Sequence, residues 1–427
     1  MKNKKCREIK MNHFHYTNGE MYCENVPLKK IADEVGTPFY VYSAAAFRKH
    51  FEDFDASFKK VPHIICFAVK ANSNLAVLNL LGKLGCGADI VSGGELYRAL
   101  KAGIDSKKIV YAGVGKTEEE IEFALKSDIL MFNIESLQEL EKINVVAKRL
   151  NKKARIALRV NPNVDPKTHP YISTGLKKNK FGIPVEKAYH EYEYAASLSN
   201  IEVVGAHCHI GSQLTDVSPF VDATKIMVEL VKNLKDKGIE IKYLDLGGGL
   251  GIKYKDETPP SPKEYADKLI DVIKEVDVTL VFEPGRVIAG NAGVLVTKVL
   301  YTKDTELKSF KIVDAAMNDL MRPTLYGSYH EIKPVKEGNY KNVYGDIVGP
   351  ICETGDFLAK DRDIPDFQQG DLVAVMSAGA YGFTMSSNYN SRPRVPEILV
   401  NKNKYYIVRR RETYDDLIGP EYIPEDL

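Results

Sequence analysis

The chain has 427 residues, 44% of them hydrophobic, and 59 basic against 58 acidic residues leave a net charge of +1. That length predicts two or three domains, or one large barrel with a companion, and the charge balance argues against nucleic acid or an anionic membrane surface as a partner. No apolar stretch approaches a membrane span, the basic start Met1-Lys2-Asn3-Lys4-Lys5 has no apolar segment behind it, and six scattered cysteines (Cys6, Cys23, Cys66, Cys86, Cys208, Cys352) without a CxxC pair read as free thiols of a reducing cytosol.

Along the chain, residues 38–42 (Pro38-Phe39-Tyr40-Val41-Tyr42) are strand-like. Eight apolar runs follow, at 64–69, 88–91, 109–112, 129–134, 155–160, 203–207, 243–246 and 279–282, with helix-patterned segments such as 95–100 and 136–150 between them. Alternating strand and helix predicts a parallel sheet, and eight units over about 220 residues predict a closed (β/α)₈ barrel. An open doubly wound sheet is the alternative. After Glu283 the chain turns β-rich, with runs at 294–301, 311–315, 346–349, 371–377 and 404–409 separated by Pro323, Gly327, Pro334, Gly338, Gly370 and Gly379. The expected fold is an α/β (β/α)₈ TIM-type barrel over 46–288. A discontinuous β-sandwich or β-barrel domain, built from 1–45 and 289–427, accompanies it.

Function in such barrels sits at the carboxyl ends of the strands. The first run ends in Lys70. A lysine there is costly unless paired or used, and burial is expected to lower its pKa and make the amine a nucleophile fit for Schiff-base chemistry. The plain alternative is a lysine snorkelling into solvent. The second run ends near Asp89, the fifth in Arg159-Val160-Asn161 and the sixth in His207-Cys208-His209, leading to Ser212. The seventh leads into Gly247-Gly248-Gly249, where backbone N–H groups can approach an anion closely, as at barrel phosphate sites. The eighth ends in Glu283-Pro284-Gly285-Arg286. Glu283 is placed to keep a pyridine nitrogen protonated, or else to pair with Arg286. His207 and His209 could face one side of a strand as metal ligands. The other strand ends supply no matching ligand set, so no metal is expected; His207 reads as a satisfied structural histidine.

Seven segments then appear in order: Phe67-Ala68-Val69-Lys70-Ala71-Asn72, Gly87-Ala88-Asp89-Ile90-Val91-Ser92-Gly93-Gly94-Glu95, His209-Ile210-Gly211-Ser212-Gln213, Gly247-Gly248-Gly249, Glu283-Pro284-Gly285-Arg286, Cys352-Glu353-Thr354-Gly355-Asp356 and Gly379-Ala380-Tyr381-Gly382. From about residue 25 to 405 the chain resembles the alanine-racemase-type (fold type III) pyridoxal-phosphate decarboxylases. The Cys352 segment and Asn388-Tyr389-Asn390-Ser391-Arg392 point to the branch that acts on diaminopimelate. The common version of the Cys352 segment has Ser where this chain has Thr354.

The resemblance implies pyridoxal 5'-phosphate as cofactor, bonded through Lys70. His209 would stack on the ring with support from Asp89, and Glu283 would meet the ring nitrogen. Ser212, Gly247, Gly248, Gly249, Gly285, Arg286 and Tyr381 would surround the phosphate and nearby substrate. Arg286, Arg322, Tyr326, Glu353 and Tyr381 would hold the substrate, with Cys352 as the acid that protonates the carbanion. It further implies a cytoplasmic homodimer with shared sites, Cys352 and Glu353 coming from the other subunit. The reaction would convert meso-diaminopimelate to L-lysine and carbon dioxide, the last step of lysine biosynthesis. The rivals are a related decarboxylase of arginine, ornithine or carboxynorspermidine, a racemase of the same fold, and a non-catalytic pyridoxal-phosphate carrier. Glu283 argues against the racemase, and the long β-domain against the carrier.

Overall fold

The structure, a computed structural model, describes residues 13–165, 168, 174 and 180–426; Cys6 and the basic start lie outside the described residues. Eight parallel strands form a closed ring: His63–Ala68, Gly87–Ile90, Ile109–Tyr111, Met131–Ile134, Ala154–Asn161, Ile201–His207, Tyr243–Asp245 and Thr279–Phe282. Each pairs with the next in chain order, and Thr279–Phe282 pairs back onto His63–Ala68. The ring closes, so the open-sheet alternative is set aside. Strand alternation sorts the side chains. Cys66, Val110, Ala157, Val204 and Val281 form an inner cluster, while Phe67, Ile109, Tyr111 and Phe282 belong to the layer that meets the helices.

Four of the barrel helices begin where the sequence supplies a hydroxyl followed three residues later by Glu. Ser92, Thr117, Ser136 and Ser261 each accept from the backbone N–H of Glu95, Glu120, Glu139 and Glu264. Those contacts open Gly93–Lys101, Glu118–Ser127, Leu137–Arg149 and Pro262–Ile273. Such a cap contributes about 1 kcal/mol and sets where each strand-to-helix loop must end.

The second unit is a mixed sheet with Gly293–Asp304 as its spine. Leu295 to Lys298 pair antiparallel with Leu372–Val375, and Gly293 to Val296 with Phe39–Ser43. After a register shift between Val299 and Tyr301, the rest of the spine pairs with Ser309–Val313. Asn342–Val348 and Phe357–Pro365 extend the sheet on that side; Glu397–Asn401 and Lys404–Arg409 extend it beyond Phe39–Ser43. The unit is therefore discontinuous, as expected, with an N-terminal strand buried near its centre. Phe14, Met21, Leu28 and Ile31, from a small N-terminal sheet and its helix, pack on Phe39, Val41, Val294 and Ile398. Each such burial contributes roughly 1.5–3 kcal/mol.

Candidate active site

A cavity of about 370 Å³ lies at the carboxyl ends of the barrel strands. Lys70, His209, Ser212, Glu283 and Arg286 reach it from the barrel, and Arg322, Tyr326 and Tyr381 from the second unit. Its size suits a small organic ligand.

The first strand stops at Ala68, and the backbone tightens into a 3₁₀ turn over Val69–Ala71 that carries Lys70. The side chain is 43% open, facing the cavity. The turn is tied to the second unit: the Tyr381 N–H donates to the Ala71 carbonyl at 2.8 Å, and Asn72 Nδ2 to the Gly379 carbonyl at 3.1 Å. Lys70 Nζ donates to Asp89 Oδ2 at 2.8 Å. Burial works against the ammonium, but Asp89, Tyr381 and Glu283 outweigh it and hold its pKa above the ordinary lysine value. The expected lowering is corrected, because the carboxylate at the next strand end stabilises the charge. Asp89 was expected to support His209; its hydrogen bond goes to Lys70 instead. Its own pKa is pushed up to about 6, by burial first and by Glu283 second.

Glu283 is buried at the end of the eighth strand. Its Oε1 accepts from Asn133 Nδ2 at 3.1 Å and stands 3.6 Å from His207 Nε2. Asn133 also donates to Asp245 Oδ2 at 3.1 Å, and Asp245 Oδ1 accepts the Gly247 N–H at 2.9 Å. Burial and the Glu283 charge raise Asp245 well above the carboxylate range. Burial also opposes ionisation of Glu283, but His207 and Lys70 overcome it and keep that carboxylate below the usual range. Asp245 therefore holds the proton and Glu283 the charge. The suggested Glu283–Arg286 pair does not form. Neither ring nitrogen of His207 has a hydrogen bond among the described residues, and Nε2 faces Glu283. It belongs to the network that faces Glu283.

The glycines are demanded by backbone approach. Gly247 has φ +66°, and a Cβ there would meet His209 Nδ1 at 2.7 Å; one on Gly248 would meet the Glu283 carbonyl oxygen at 2.3 Å. The Gly248 N–H donates to His209 Nδ1 at 3.2 Å, which makes that nitrogen an acceptor. Burial, then Arg159, push the His209 pKa down to about 3, so the ring is neutral. The loop does not run directly into a helix; the next one starts only at Pro262. Gly249 and Gly285 present bare backbone to the cavity.

Arg286 donates to Tyr254 Oη at 2.7 Å and to Ser212 Oγ at 3.2 Å, and lies 4.8 Å from the Tyr381 ring centre. Arg322 contacts His330 and Ser328. Cys352 and Glu353 stand apart: both are exposed, and neither lines the cavity. The Cys352 N–H donates to Asn390 Oδ1 at 3.3 Å, and Tyr389 Oη donates to Glu353 Oε2 at 2.8 Å. The two segments that point to the diaminopimelate branch thus meet at the surface. Asp356 anchors this loop through the N–H groups of Met317 and Ile351, both at 2.7 Å.

Asn133, Asp245, Tyr254 and His330 were not assigned from sequence. Asn133 and Asp245 are the polar residues of the fourth and seventh strand ends, so the strand-end rule could have reached them. Tyr254 and His330 carry no such signal.

A lysine and a buried glutamate facing one cavity of a closed barrel suit a pyridoxal-phosphate enzyme. In agreement, the family model "Pyridoxal-dependent decarboxylase, pyridoxal binding domain" matches residues 44–290. The fit can be tested on the cavity itself. It holds an amine to bond an aldehyde, a buried carboxylate that makes no ion pair with an Arg or Lys among the described residues, bare glycine backbone and the Arg286–Ser212 pair for an anion; the residues fit pyridoxal phosphate. The chain is 55% identical over 409 residues to diaminopimelate decarboxylase of Aquifex aeolicus (strain VF5), covering 96% of the chain and 97% of that relative. It is 56% identical over 415 residues to the enzyme of that name from Vibrio cholerae, covering 97% and 99%. A crystal structure of diaminopimelate decarboxylase from M. jannaschii, in complex with L-lysine, superposes with a TM-score of 0.92 at 42% identity, covering 97% of this chain and 98% of that one. The chain belongs to the diaminopimelate decarboxylase family, carboxy-lyases that depend on pyridoxal phosphate.

Proposed function

We propose that this chain removes one carboxylate of meso-diaminopimelate as carbon dioxide and releases L-lysine. The observation that carries the reading is the pair of ends in one cavity. Lys70 and Glu283 mark the reacting end, and Arg322, a buried cation with neutral hydrogen-bond partners, faces the same space. L-lysine bound to the M. jannaschii relative supports the same product.

Pyridoxal phosphate, when bound, supplies an aldehyde that accepts the amine and a ring that takes up the electron pair left by departing carbon dioxide. Lys70 is the amine that holds it, and Asp89 keeps a partner beside the Lys70 proton. Glu283, kept ionised by His207 and Lys70, holds a proton on the ring nitrogen. Asn133 and the protonated Asp245 keep that charge in place. His209, neutral, offers its ring face. Ser212, Gly247, Gly248, Gly249, Gly285, Arg286 and Tyr381 serve the phosphate side. Arg322 takes the carboxylate of the end that does not react, a match suited to a guanidinium fork, with Tyr326 beside it.

Cys352 as the proton donor and Glu353 as the receptor of the distal ammonium need a second copy of the chain. Their exposure outside the cavity of their own chain supports a homodimer with shared sites. Among the described residues no helix is long and apolar enough to cross a membrane, and work in the cytoplasm is part of the same reading.

Product analysis tests it. Protein incubated with meso-diaminopimelate and pyridoxal phosphate should release lysine and carbon dioxide in equal amounts. Carbon dioxide released equally well from arginine or ornithine would overturn the substrate assignment.

A further inference from the structure

Arg322 opens the short helix Arg322–Tyr326 and is 5% exposed. A buried guanidinium is ordinarily paired with a carboxylate. Among the described residues Arg322 makes no ion pair, and its contacts are neutral. Nη1 lies 3.0 Å from His330 Nε2, Nη2 donates to Ser328 Oγ at 3.3 Å, and the guanidinium stands 4.7 Å from the centre of the Tyr254 ring. The other cavity arginine, Arg286, acts on it as a like charge.

His330 is fully buried and fixed from its far side. Its Nδ1 lies 2.8 Å from the Met376 carbonyl oxygen. A carbonyl only accepts, so Nδ1 carries the proton and Nε2 turns a lone pair to Arg322. Burial first, then Arg322, push the ring's pKa down to about 3. A second cation, Arg362, donates to the His330 carbonyl at 2.5 Å, and the Tyr254 ring stands edge-on at 5.5 Å. A protonated ring would face two arginines, so the neutral form is the one that fits.

We propose that His330 is a positioning residue for substrate choice: a neutral acceptor that aims the Arg322 guanidinium into the cavity while leaving its charge free for an incoming carboxylate. This rests on the reading of Arg322 as the receptor of the distal carboxylate. A carboxylate side chain in the same place would aim Arg322 as well, but it would cancel the charge the substrate needs. An apolar one would leave the charge and lose the aim.

The test uses holoenzyme and two probes, L-lysine and 1,5-diaminopentane. They differ only in the carboxylate that Arg322 would hold. Binding is read by titration against bound cofactor absorbance, which also reports that the protein is folded and loaded. Wild-type protein should prefer L-lysine strongly. His330→Gln, which can place an acceptor near the Nε2 position, should keep most of that preference. His330→Glu and His330→Leu should each weaken L-lysine by roughly ten- to a hundredfold, the range of a hydrogen bond to a charged group, and leave the diamine within about twofold. Should His330→Leu lose cofactor, the similarly sized Gln and Glu variants decide between them. Equal L-lysine affinity in those two variants, or parallel loss of both probes, would overturn the role of His330. Failure of wild-type protein to tell L-lysine from the diamine would instead overturn the reading of Arg322.

Discussion

Glu283, Asp245, Asn133 and His207 share one buried charge, and the arrangement decides which group keeps it. Two carboxylates this close do not both ionise readily; Asp245 is the one pushed up and Glu283 the one held down. Glu283→Gln keeps the volume and removes the charge. Loss of activity by roughly 10²–10³ is expected, on the scale of removing one preorganised electrostatic group, with pyridoxal phosphate still bound; kcat and cofactor content measure the two separately, and near-normal kcat would refute the role of Glu283. His330 makes a pH prediction. An unfolded histidine titrates near 6.5, while the folded ring titrates at about 3. Between those values the unfolded chain binds a proton that the folded one refuses, so stability falls as pH drops from about 6.5 towards 3, by up to about 1.4 kcal/mol per unit from this group. His330→Gln removes that contribution. Urea unfolding at pH 7 and pH 4.5 should show a larger loss on acidification in wild-type protein than in the variant; equal losses would contradict the assignment.

The loops at the strand ends are built by contact between backbones. Gly248 has no space for a side chain because the Glu283 carbonyl would lie 2.3 Å from a Cβ. Gly248→Ala must therefore push the seventh and eighth strand ends apart, at a cost of about 1–3 kcal/mol, and it displaces Glu283. Lower thermal stability and at least tenfold weaker pyridoxal-phosphate binding are expected, measured by melting and cofactor titration; wild-type values for both would show that the loop yields. At this scale much of the barrel was legible. Predicted 279–282 is the strand Thr279–Phe282, and 136–150 holds the helix Leu137–Arg149, because a strand buried on both faces is a short apolar run and that helix starts at the Ser136 hydroxyl cap. Phe357–Pro365 escaped notice. Its middle, Lys360 to Asp363, is largely exposed and charged, so pairing with Asn342–Val348 rather than an apolar pattern makes it a strand. Glu397–Asn401 was missed as well: its apolar run is short and follows Pro393 and Pro396, and it becomes a strand by pairing in parallel with Phe39–Ser43.

For the molecule as a whole, one chain leaves Cys352 and Glu353 at its surface while Lys70 faces a cavity they do not line. If the site is shared, a subunit lacking Lys70 can lend Cys352 to one lacking Cys352. Mixing Lys70→Ala with Cys352→Ala protein should restore up to about a quarter of the activity on random exchange into dimers with one intact site in two. No recovery, with exchange shown by differently tagged subunits, would refute shared sites.

The amino-acid sequence by itself determined the barrel, a β-rich second unit that takes in the 38–42 strand, and the row of polar and glycine residues at strand ends. Those follow from local periodicity, caps and glycines, which act within a few residues. Tertiary structure alone decided who pairs with whom. Lys70 meets Asp89 across neighbouring strands, so its charge is stabilised rather than weakened. Asp245 and Glu283 divide one charge because two strand ends converge. His330 aims Arg322 because a chain turn brings back a ring eight residues on, with the Met376 carbonyl behind it. Protonation depends on distance and burial in space, and neither is written in the order of residues along the chain.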